Sequence, residues 1–299
     1  MKVFITGASG FTGREIAREL GRGGHETISL CRTEESARSA FPGSKILIGN
    51  PTVPGEWTKT LASCDGCVNL AGEPLNEKWT REKKRLLRES RIEATRNVVA
   101  AIPEGKDFVL FSASAVGAYG DGGENLLTEN SPYGDNFLAK LTREWEEAAL
   151  AAEKKGARVI IGRFGLVLGK EGGALPPLVT EAKKARKIPE GSGKQWMSWI
   201  HVEDLARAVR SLLENPEARG IFNLVSPHPA RQKEITSAIE EMLGPPARLR
   251  PPSFAARLVV GEMADLVLLS HKASAEKLEA TGFSFDHTGL RETLVKILA

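Results

Sequence analysis

The strongest constraint on the fold is an apolar segment, residues 2–6, that runs into three glycines spaced G-x-x-G-x-x-G and then into a helical pattern over residues 14–20. Gly7 permits a tight turn, Gly10 lets the backbone approach a pyrophosphate, and Gly13 lets the helix pack closely on the strand. The diphosphate would sit on free N–H groups at the helix start, where the helix dipole favours negative charge. In this strand–turn–helix order the motif predicts a dinucleotide site rather than a simple tight loop.

Apolar runs alternate with helical patterns through the first half of the chain. Such alternation predicts a parallel sheet with helices on both faces, and continuous apolar strands fit a sheet that is buried on both sides. We therefore predict an α/β fold with a doubly wound, Rossmann-type parallel sheet and a smaller C-terminal lobe. The expected strands are Val3–Ile5, Thr27–Leu30, Ile46–Ile48, Gly66–Leu70, Phe108–Ser112 and Val159–Gly162, and the expected helices are Gly13–Gly21, Trp57–Cys64, Thr80–Ile102 and Phe137–Lys155.

Two units are expected along the chain. Residues 1–170 form the predicted dinucleotide-binding domain, to which residues 198–226 return. Residues 171–197 and 227–299 form the predicted smaller lobe, placed over the carboxyl ends of the strands, where open α/β sheets bind ligands. The return segment is expected to hold a helix, Val202–Glu214, and a strand, Ile221–Val225, and the tail carries the pairs Pro245-Pro246 and Pro251-Pro252.

The composition excludes several classes of function. The 299 residues include 41% hydrophobic and 26% charged positions, which is ordinary for a globular protein. The formal net charge of +3 is small, so we expect no nucleic-acid partner and no membrane surface. No apolar run reaches the roughly 20 residues of a membrane span, and the immediate entry into a core strand leaves no room for a cleavable signal. The expected partner is a small-molecule substrate, and a homodimer is an open alternative.

The cysteines and histidines indicate neither a redox pair nor a metal site. Three cysteines, an odd number, favour a reducing compartment, so we expect a cytoplasmic protein. Cys64 and Cys67 have C-x-x-C spacing, but a redox pair normally opens a helix, whereas Cys67 begins an apolar strand. Three cysteines cannot form a four-cysteine zinc site, and the five histidines show no metal-ligand spacing. We expect structural cysteines and no metal.

The end of the second strand indicates which dinucleotide is bound. NAD-selective sites hold the ribose hydroxyls with an acidic residue about 20 positions beyond the glycines. Here Arg32 follows the strand, and Glu34 and Glu35 come slightly later. Arg32 would accept a 2′-phosphate through a charge-assisted contact worth roughly 1.5–3 kcal/mol, which favours NADP by about ten- to a hundredfold. The alternative is a surface arginine at a strand end; we predict NADP.

Several segments together resemble the extended short-chain dehydrogenase/reductase family, the NAD-dependent epimerase/dehydratase group. They are the glycine motif, the strand end at residues 69–72, the segment 111–120, and residues 163–169 and 199–204. The resemblance covers essentially the whole chain. It is most specific to an atypical branch named epimerase family protein, which has a C-terminal domain of unknown function.

The resemblance implies site residues. Ser114 falls at the family's catalytic serine and would donate a hydrogen bond to a substrate carbonyl, or else it binds local backbone. Lys140 is interpreted as a ribose-binding or surface lysine. Motif and resemblance together predict a cofactor site formed by Gly7, Ser9, Gly10, Phe11, Thr12, Gly13, Arg32, Leu70, Ala71, Gly72, Ser112 and Lys140.

One departure from the family bears on activity. The family transfers protons with Y-x-x-x-K, whose spacing puts both residues on one helix face, so that the ammonium lowers the pKa of the phenol. Here Asn136 stands four residues before Lys140, and neither Tyr119 nor Tyr133 has a lysine four residues later. A helix cap predicted at Asp135 leaves Tyr133 outside the helix. Tyr119, predicted on a loop that can swing towards the nicotinamide, is the other candidate acid.

Several further residues are open to two interpretations. His201 and Asp204 resemble a catalytic pair, but we interpret them as structural, with Asp204 in the first turn of a helix. Arg91 is expected on the exposed face of a long helix, with anion binding as the alternative. The remaining candidates are Glu73, a carboxylate facing the predicted crevice, and Trp196, Met197 and Trp199, which line a substrate pocket or belong to the core.

Three functions remain open. The first is an NADP-dependent oxidoreductase or epimerase-like enzyme that acts on a small carbonyl or hydroxyl compound, with the hydride carried by the cofactor. The second is a non-catalytic NADP(H)-binding sensor or regulatory module, which the missing tyrosine favours. The third is a nucleotide-sugar epimerase, which needs that tyrosine. The fold alone does not choose among them.

Overall fold

The structure is a computed structural model that describes residues 1–183, 192–243 and 261–298. Both proline pairs of the predicted tail lie outside the described residues. The strands are β1 (Lys2–Thr6), β2 (Glu26–Cys31), β3 (Lys45–Ile48), β4 (Gly66–Asn69), β5 (Val109–Ala115), β6 (Leu126–Leu127), β7 (Arg158–Phe164), β8 (Leu166–Gly169), β9 (Gly172–Gly173), β10 (Trp196–Met197), β11 (Trp199–His201), β12 (Gly220–Leu224), β13 (Ala230–Arg231) and β14 (Lys272–Ala273). The α-helices are α1 (Phe11–Arg22), α2 (Glu34–Ala37), α3 (Trp57–Ala62), α4 (Arg81–Ala101), α5 (Phe137–Leu150), α6 (Leu175–Lys183), α7 (Val202–Glu214), α8 (Gln232–Leu243), α9 (Asp265–Leu268), α10 (Glu276–Glu279) and α11 (Leu290–Leu298).

A seven-stranded sheet in the order β12-β7-β5-β4-β1-β2-β3 forms the centre of the molecule. Every neighbouring pair in it is parallel. The predicted doubly wound α/β fold is therefore confirmed, and so are the six strands expected in the first half. The return strand β12 pairs with β7 as expected, whereas the division of the chain into two units stays a prediction.

Both faces of this sheet are buried, which explains why its strands are continuously apolar. In β1, Val3 and Ile5 pack with α1 and α7 on one face, and Phe4 packs with α3 and α4 on the other. The Phe4 ring stacks on Trp57 with centroids 6.0 Å apart. Because β1, β4 and β5 are parallel neighbours, their carboxyl ends lie at the same edge of the sheet. Since the strand order reverses between β1 and β4, the crevice at that edge is where open α/β sheets bind ligands.

The two faces of the main sheet form two hydrophobic cores, and a third core lies beside the sheet. Strands β8 and β11 pair in parallel, and α6, α8 and α11 cover them. Leu175, Ile235 and Leu294 of these helices pack in one cluster with Trp199 of β11. The predicted helix Phe137–Lys155 is shorter, because its last turn tightens into a 3-10 helix, Ala151–Lys155. No helix within the described ranges is long and apolar enough to cross a membrane.

Candidate functional site

The turn between β1 and α1 leaves room for a ligand at the helix start. Gly7 has a φ of +67°, and a Cβ on it would lie 2.6 Å from the carbonyl oxygen of Leu70. A Cβ on Gly13 would lie 2.2 Å from the carbonyl oxygen of Gly7, so α1 touches the turn directly. Gly10 is the N-cap in an extended conformation, and no side chain of the described residues caps the helix there. The first N–H groups of α1 are therefore available to an anion.

Three further residues of this turn were predicted to contact the cofactor. Ser9, Phe11 and Thr12 are all half-buried. The Phe11 ring lies against Gly169 and Gly172 and so joins α1 to β8 and β9. The side chain of Phe11 therefore packs within the protein.

Thr6 fixes the neighbouring strand end beside the glycine turn. Its hydroxyl donates to Asn69 Oδ1 at 2.7 Å and accepts from the N–H groups of Leu70 and Ala71 at 3.1 and 3.2 Å. Asn69 Nδ2 in turn lies 3.4 Å from the buried Ser112 hydroxyl, which accepts its hydrogen bond. The backbone of residues 69–71 is thereby held at the edge of the crevice, and the exposed Gly72 follows it.

Arg32 lies directly after β2 and faces solvent. Its side chain is 71% exposed, and its Nη1 lies 4.0 Å from Glu73 Oε2. Glu73 Oε1 accepts a hydrogen bond from Lys83 Nζ at 3.1 Å. The carboxylate predicted to face the crevice thus has two cations around it, and the Arg32 guanidinium keeps most of its surface free for a ligand.

The prediction that Arg91 lies on an exposed helix face is wrong. Arg91 is half-buried, its Nη2 donates to the carbonyl of Glu73 at 3.0 Å, and its guanidinium lies 5.4 Å from the centre of the Trp145 ring. Burial lowers its pKa to about 10. The cause is the packing of α4 against α5, which turns this face of α4 inward.

Ser114 belongs to a buried charged cluster. Its Oγ donates to Oε1 of Glu146, and Oε2 of the same carboxylate accepts from the Tyr133 hydroxyl. Arg163 binds that carboxylate with two hydrogen bonds, from Nε at 2.9 Å and from Nη2 at 2.8 Å. The side chains of Arg163 and Glu146 are only 1% and 0% exposed. Burial by itself lowers the pKa of Arg163, because it disfavours the charged guanidinium. The hydrogen bonds with Glu146 outweigh this effect and raise the pKa above its usual range.

The two tyrosines differ in what they can do. Tyr119 is buried in the 3-10 helix Val116–Tyr119 and donates to Asn223 Oδ1 at 2.6 Å, so the prediction of a loop tyrosine free to swing is wrong. Tyr133 precedes α5 and is half-buried. Burial and the hydrogen bond to Glu146 raise the pKa of Tyr133 to about 12. This phenol therefore holds its proton at neutral pH.

The start of α5 lacks the family's pairing of tyrosine and lysine. Asn136 is the helix cap, and its side chain accepts from the N–H of Ala139 at 2.9 Å, which corrects the cap predicted at Asp135. Lys140 is exposed in the first turn. No phenol therefore lies one helical turn before this lysine.

The remaining predicted residues have structural contacts. His201 accepts from the N–H of Glu203 at 3.3 Å, and Asp204 is fully buried. Trp199 and Met197 belong to the third core, whereas the half-buried Trp196 stacks on the guanidinium of Arg231 at 3.7 Å. Cys31, Cys64 and Cys67 are buried free thiols, and burial raises the pKa of each.

Reasoning from the sequence missed the Glu146–Arg163 pair as a partner of Ser114. A signal was present, because Glu146 interrupts the stripe of Leu138, Thr142 and Ala149 that α5 buries. Arg163 similarly is the last residue but one of β7, where it follows the apolar run Val159–Ile161 and Gly162. A charge on each of two buried elements indicates an ion pair between them.

Residues 3–225 match the model of the NAD dependent epimerase/dehydratase family, which is more than half of the chain. The chain belongs to this family. Residues 251–297 match DUF1731, a domain of unknown function, so the resemblance drawn from the motifs is confirmed.

Relatives match nearly all of the chain, and the first two described here are of similar length. The Epimerase family protein SDR39U1 homolog, chloroplastic, of Arabidopsis thaliana is 37% identical, and the match covers 100% of this chain and 87% of that protein. The human epimerase family protein SDR39U1 (isoform 2), solved with NADPH, has a TM-score of 0.84 and 29% identity over 99% of both chains. A nucleoside-diphosphate sugar epimerase from Corynebacterium glutamicum has a TM-score of 0.78 and 31% identity, covering 100% of this chain and 58% of that one.

Proposed function

We propose that the protein binds NADP(H) and uses it as an oxidoreductase on a small carbonyl or hydroxyl compound. The observation that carries the proposal is the glycine turn, where only hydrogen fits at Gly7 and Gly13 and where α1 starts without a side-chain cap. A pyrophosphate fits such a cradle. The human relative solved with NADPH supports the choice of cofactor.

The exposed guanidinium of Arg32 supports the phosphorylated dinucleotide. A 2′-phosphate carries up to two negative charges, and among the described residues Arg32 has a single carboxylate partner, Glu73 at 4.0 Å. A bidentate contact with phosphate would be stronger than this ion pair across 4 Å of solvent-exposed space. NADP therefore suits this strand end better than NAD.

The cluster around Glu146 supports a proton-handling role at the end of β5. The bound nicotinamide would supply or accept the hydride. Ser114 would hold the substrate oxygen with its hydroxyl, and Tyr133 is the nearby group that keeps a transferable proton at neutral pH. Glu146 positions both hydroxyl groups, since each donates to one of its oxygens. In place of the usual tyrosine–lysine pair, the cluster offers the phenol of Tyr133. The pKa of this phenol is raised, whereas the lysine of the usual pair lowers that of its tyrosine.

That raised pKa also favours the second candidate, an NADP(H) sensor without turnover. A phenol with a pKa of about 12 is a weak acid at neutral pH, so the chemical step would be slow. A nucleotide-sugar epimerase is the weaker alternative, because Asn136 occupies the position of the missing tyrosine. The free thiols of all three cysteines support a reducing, cytoplasmic location.

The test begins with calorimetric titration of cofactor-free protein with NADPH, NADP⁺, NADH and NAD⁺, followed by NADPH oxidation across a panel of small aldehydes and ketones. The oxidoreductase proposal predicts that Tyr133→Phe lowers kcat by about 10²- to 10⁴-fold and that Ser114→Ala lowers kcat/KM. The control Ser39→Ala changes an exposed serine far along the chain from the cluster. Tight NADPH binding without turnover on any compound would favour the sensor, and no binding of any dinucleotide would overturn both.

A further inference from the structure

Three side chains with metal-binding atoms converge where α7 begins. His287 Nε2 lies 3.2 Å from Glu203 Oε2, and His201 Nδ1 lies 3.9 Å from the same oxygen. One ligand atom from each of the three residues lies within 4.8 Å of the other two. The two imidazole rings are in contact, with centroids 3.9 Å apart. We call this group the His–Glu–His cluster.

A buried carboxylate brings the parts of the cluster together. Asp204 follows Glu203 in the first turn of α7 and is fully buried. Its two oxygens accept from the N–H groups of Asp286 and His287 at 3.0 and 2.9 Å. The backbone that carries His287 is therefore fixed against the helix that carries the other two side chains.

The imidazoles are suited to binding a cation. The His201 side chain is only 10% exposed, and its Nδ1 faces the cluster with a lone pair that accepts one long hydrogen bond, 3.3 Å, from the N–H of Glu203. Nδ1 of His287 is buried and has no hydrogen-bond partner among the described residues. A buried ring nitrogen without a partner is uncommon in a folded protein. The ring is thus held in place by its backbone rather than by hydrogen bonds at both nitrogens.

The spacing of the donor atoms is close to that of a tetrahedral site. Bond lengths of about 2.0–2.2 Å to zinc place neighbouring ligand atoms roughly 3.4 Å apart. His287 and Glu203 already have this spacing, at 3.2 Å. Ligand atoms that now lie up to 4.8 Å apart must approach by up to roughly 1.4 Å, which rotation of side-chain torsions supplies.

The cluster borders a cleft of about 390 Å³ that opens to solvent. An ion can therefore enter from solvent, because His201, Glu203 and His287 all line the cleft. The walls carry charges of both signs, so neither dominates the cleft: Glu15 and Glu171 against Arg18, Lys170 and Lys296.

We propose that His201, Glu203 and His287 bind one divalent transition-metal ion, with Zn²⁺ as the best-suited ion and water as the fourth ligand. Two imidazoles and one carboxylate form a donor set that suits zinc with an open position. The sequence predicted no metal because the histidines lack ligand spacing, whereas the fold brings His287 to a carboxylate 84 residues earlier. The positive end of the α7 dipole opposes the ion, so the affinity is modest.

The test uses the full chain, freed of metal by dialysis against a chelator. We expect Zn²⁺ to bind with a stoichiometry of one in calorimetric titration, and Co²⁺ to give the intense visible absorption of a four-coordinate complex. His287→Ala and Glu203→Gln should each weaken Zn²⁺ binding at least tenfold. His228→Ala, which changes an exposed histidine outside the cluster, should leave it unchanged.

Each of these variants leaves His201 in place as the cap of α7, so folding is checked by comparing thermal unfolding without metal. Zinc should raise the Tm of the wild type and of His228→Ala, but not that of the two cluster variants. The proposal is overturned if Zn²⁺ does not saturate, or if the cluster variants bind it as tightly as the wild type. Neither readout requires a bound dinucleotide or turnover.

Discussion

Ser114 donates its hydroxyl hydrogen bond to Glu146, so the serine that was predicted to be catalytic is tied to a buried ion pair. The same carboxylate accepts two hydrogen bonds from Arg163 and one from Tyr133. Four hydrogen bonds to one buried carboxylate hold it in a single position, and the Arg163 guanidinium compensates its charge within the fold. The cluster therefore couples the stability of the sheet to the position of the hydroxyl groups above it.

Loss of the Glu146 charge should destabilise the protein strongly. Glu146→Gln leaves the Arg163 guanidinium buried without a counter-charge, and breaking a buried pair in this way costs about 3–5 kcal/mol. Glu147→Gln is the matched control, because that neighbouring carboxylate pairs with Arg143 at the surface and should cost less than about 1 kcal/mol. Urea unfolding followed by circular dichroism measures both, and equal losses would contradict the role assigned to the buried pair.

The selectivity for NADP should depend on Arg32. Arg32→Ala is expected to raise the Kd for NADPH about ten- to a hundredfold, because it removes the charge that we propose pairs with the 2′-phosphate, and to leave the Kd for NADH nearly unchanged. Arg38→Ala is the control, since Arg38 is also exposed and lies only six positions further along the chain. Calorimetric titration of the wild type and both variants gives the Kd of each for NADPH and for NADH. Equal weakening for both dinucleotides would rule out a contact with the 2′-phosphate.

Substitution at Gly13 should block the dinucleotide site. The Cβ of Gly13→Ala would lie 2.2 Å from the carbonyl oxygen of Gly7, so α1 has to move away from the turn. We expect a loss of about 1–3 kcal/mol of stability and at least tenfold weaker NADPH binding. At Gly55 the nearest atom to an added Cβ is 3.4 Å away, so Gly55→Ala serves as the control. Unchanged binding by Gly13→Ala would show that the diphosphate does not rest on this turn.

The sheet was predictable because each of its signals is local. A glycine turn after an apolar strand can be recognised within about 20 residues of chain. The same holds for apolar runs that are separated by helical patterns. The local pattern gave a wrong prediction for the exposure of Arg91, because the sequence of α4 alone does not show that α5 covers a second face of this helix. The predicted N-cap of α5 was wrong by one residue: Asn136 caps the helix instead of Asp135. Both side chain types are able to cap a helix.

The partners within the site were not predictable in the same way. Ser114 was identified from its strand end, but its carboxylate partner lies 32 residues later on a helix, and His287 lies 84 residues beyond Glu203. Such pairs depend on how helices and strands dock, which spacing along the chain does not encode. What the sequence does record is the anomaly of a charge within an apolar stripe, as at Glu146.

The stability of the protein should depend on pH through His271. Burial lowers the pKa of His271 to about 4, whereas an unfolded histidine titrates near 6.5. Between these values the unfolded chain binds more protons than the folded one, so the free energy of unfolding falls as the pH falls, by about 2 kcal/mol from pH 7 to pH 5 through this residue alone. His271→Gln should flatten this dependence, and His228→Gln, at an exposed position, should not. Urea unfolding at both pH values measures the difference, and the same slope in His271→Gln and the wild type would show that another group titrates.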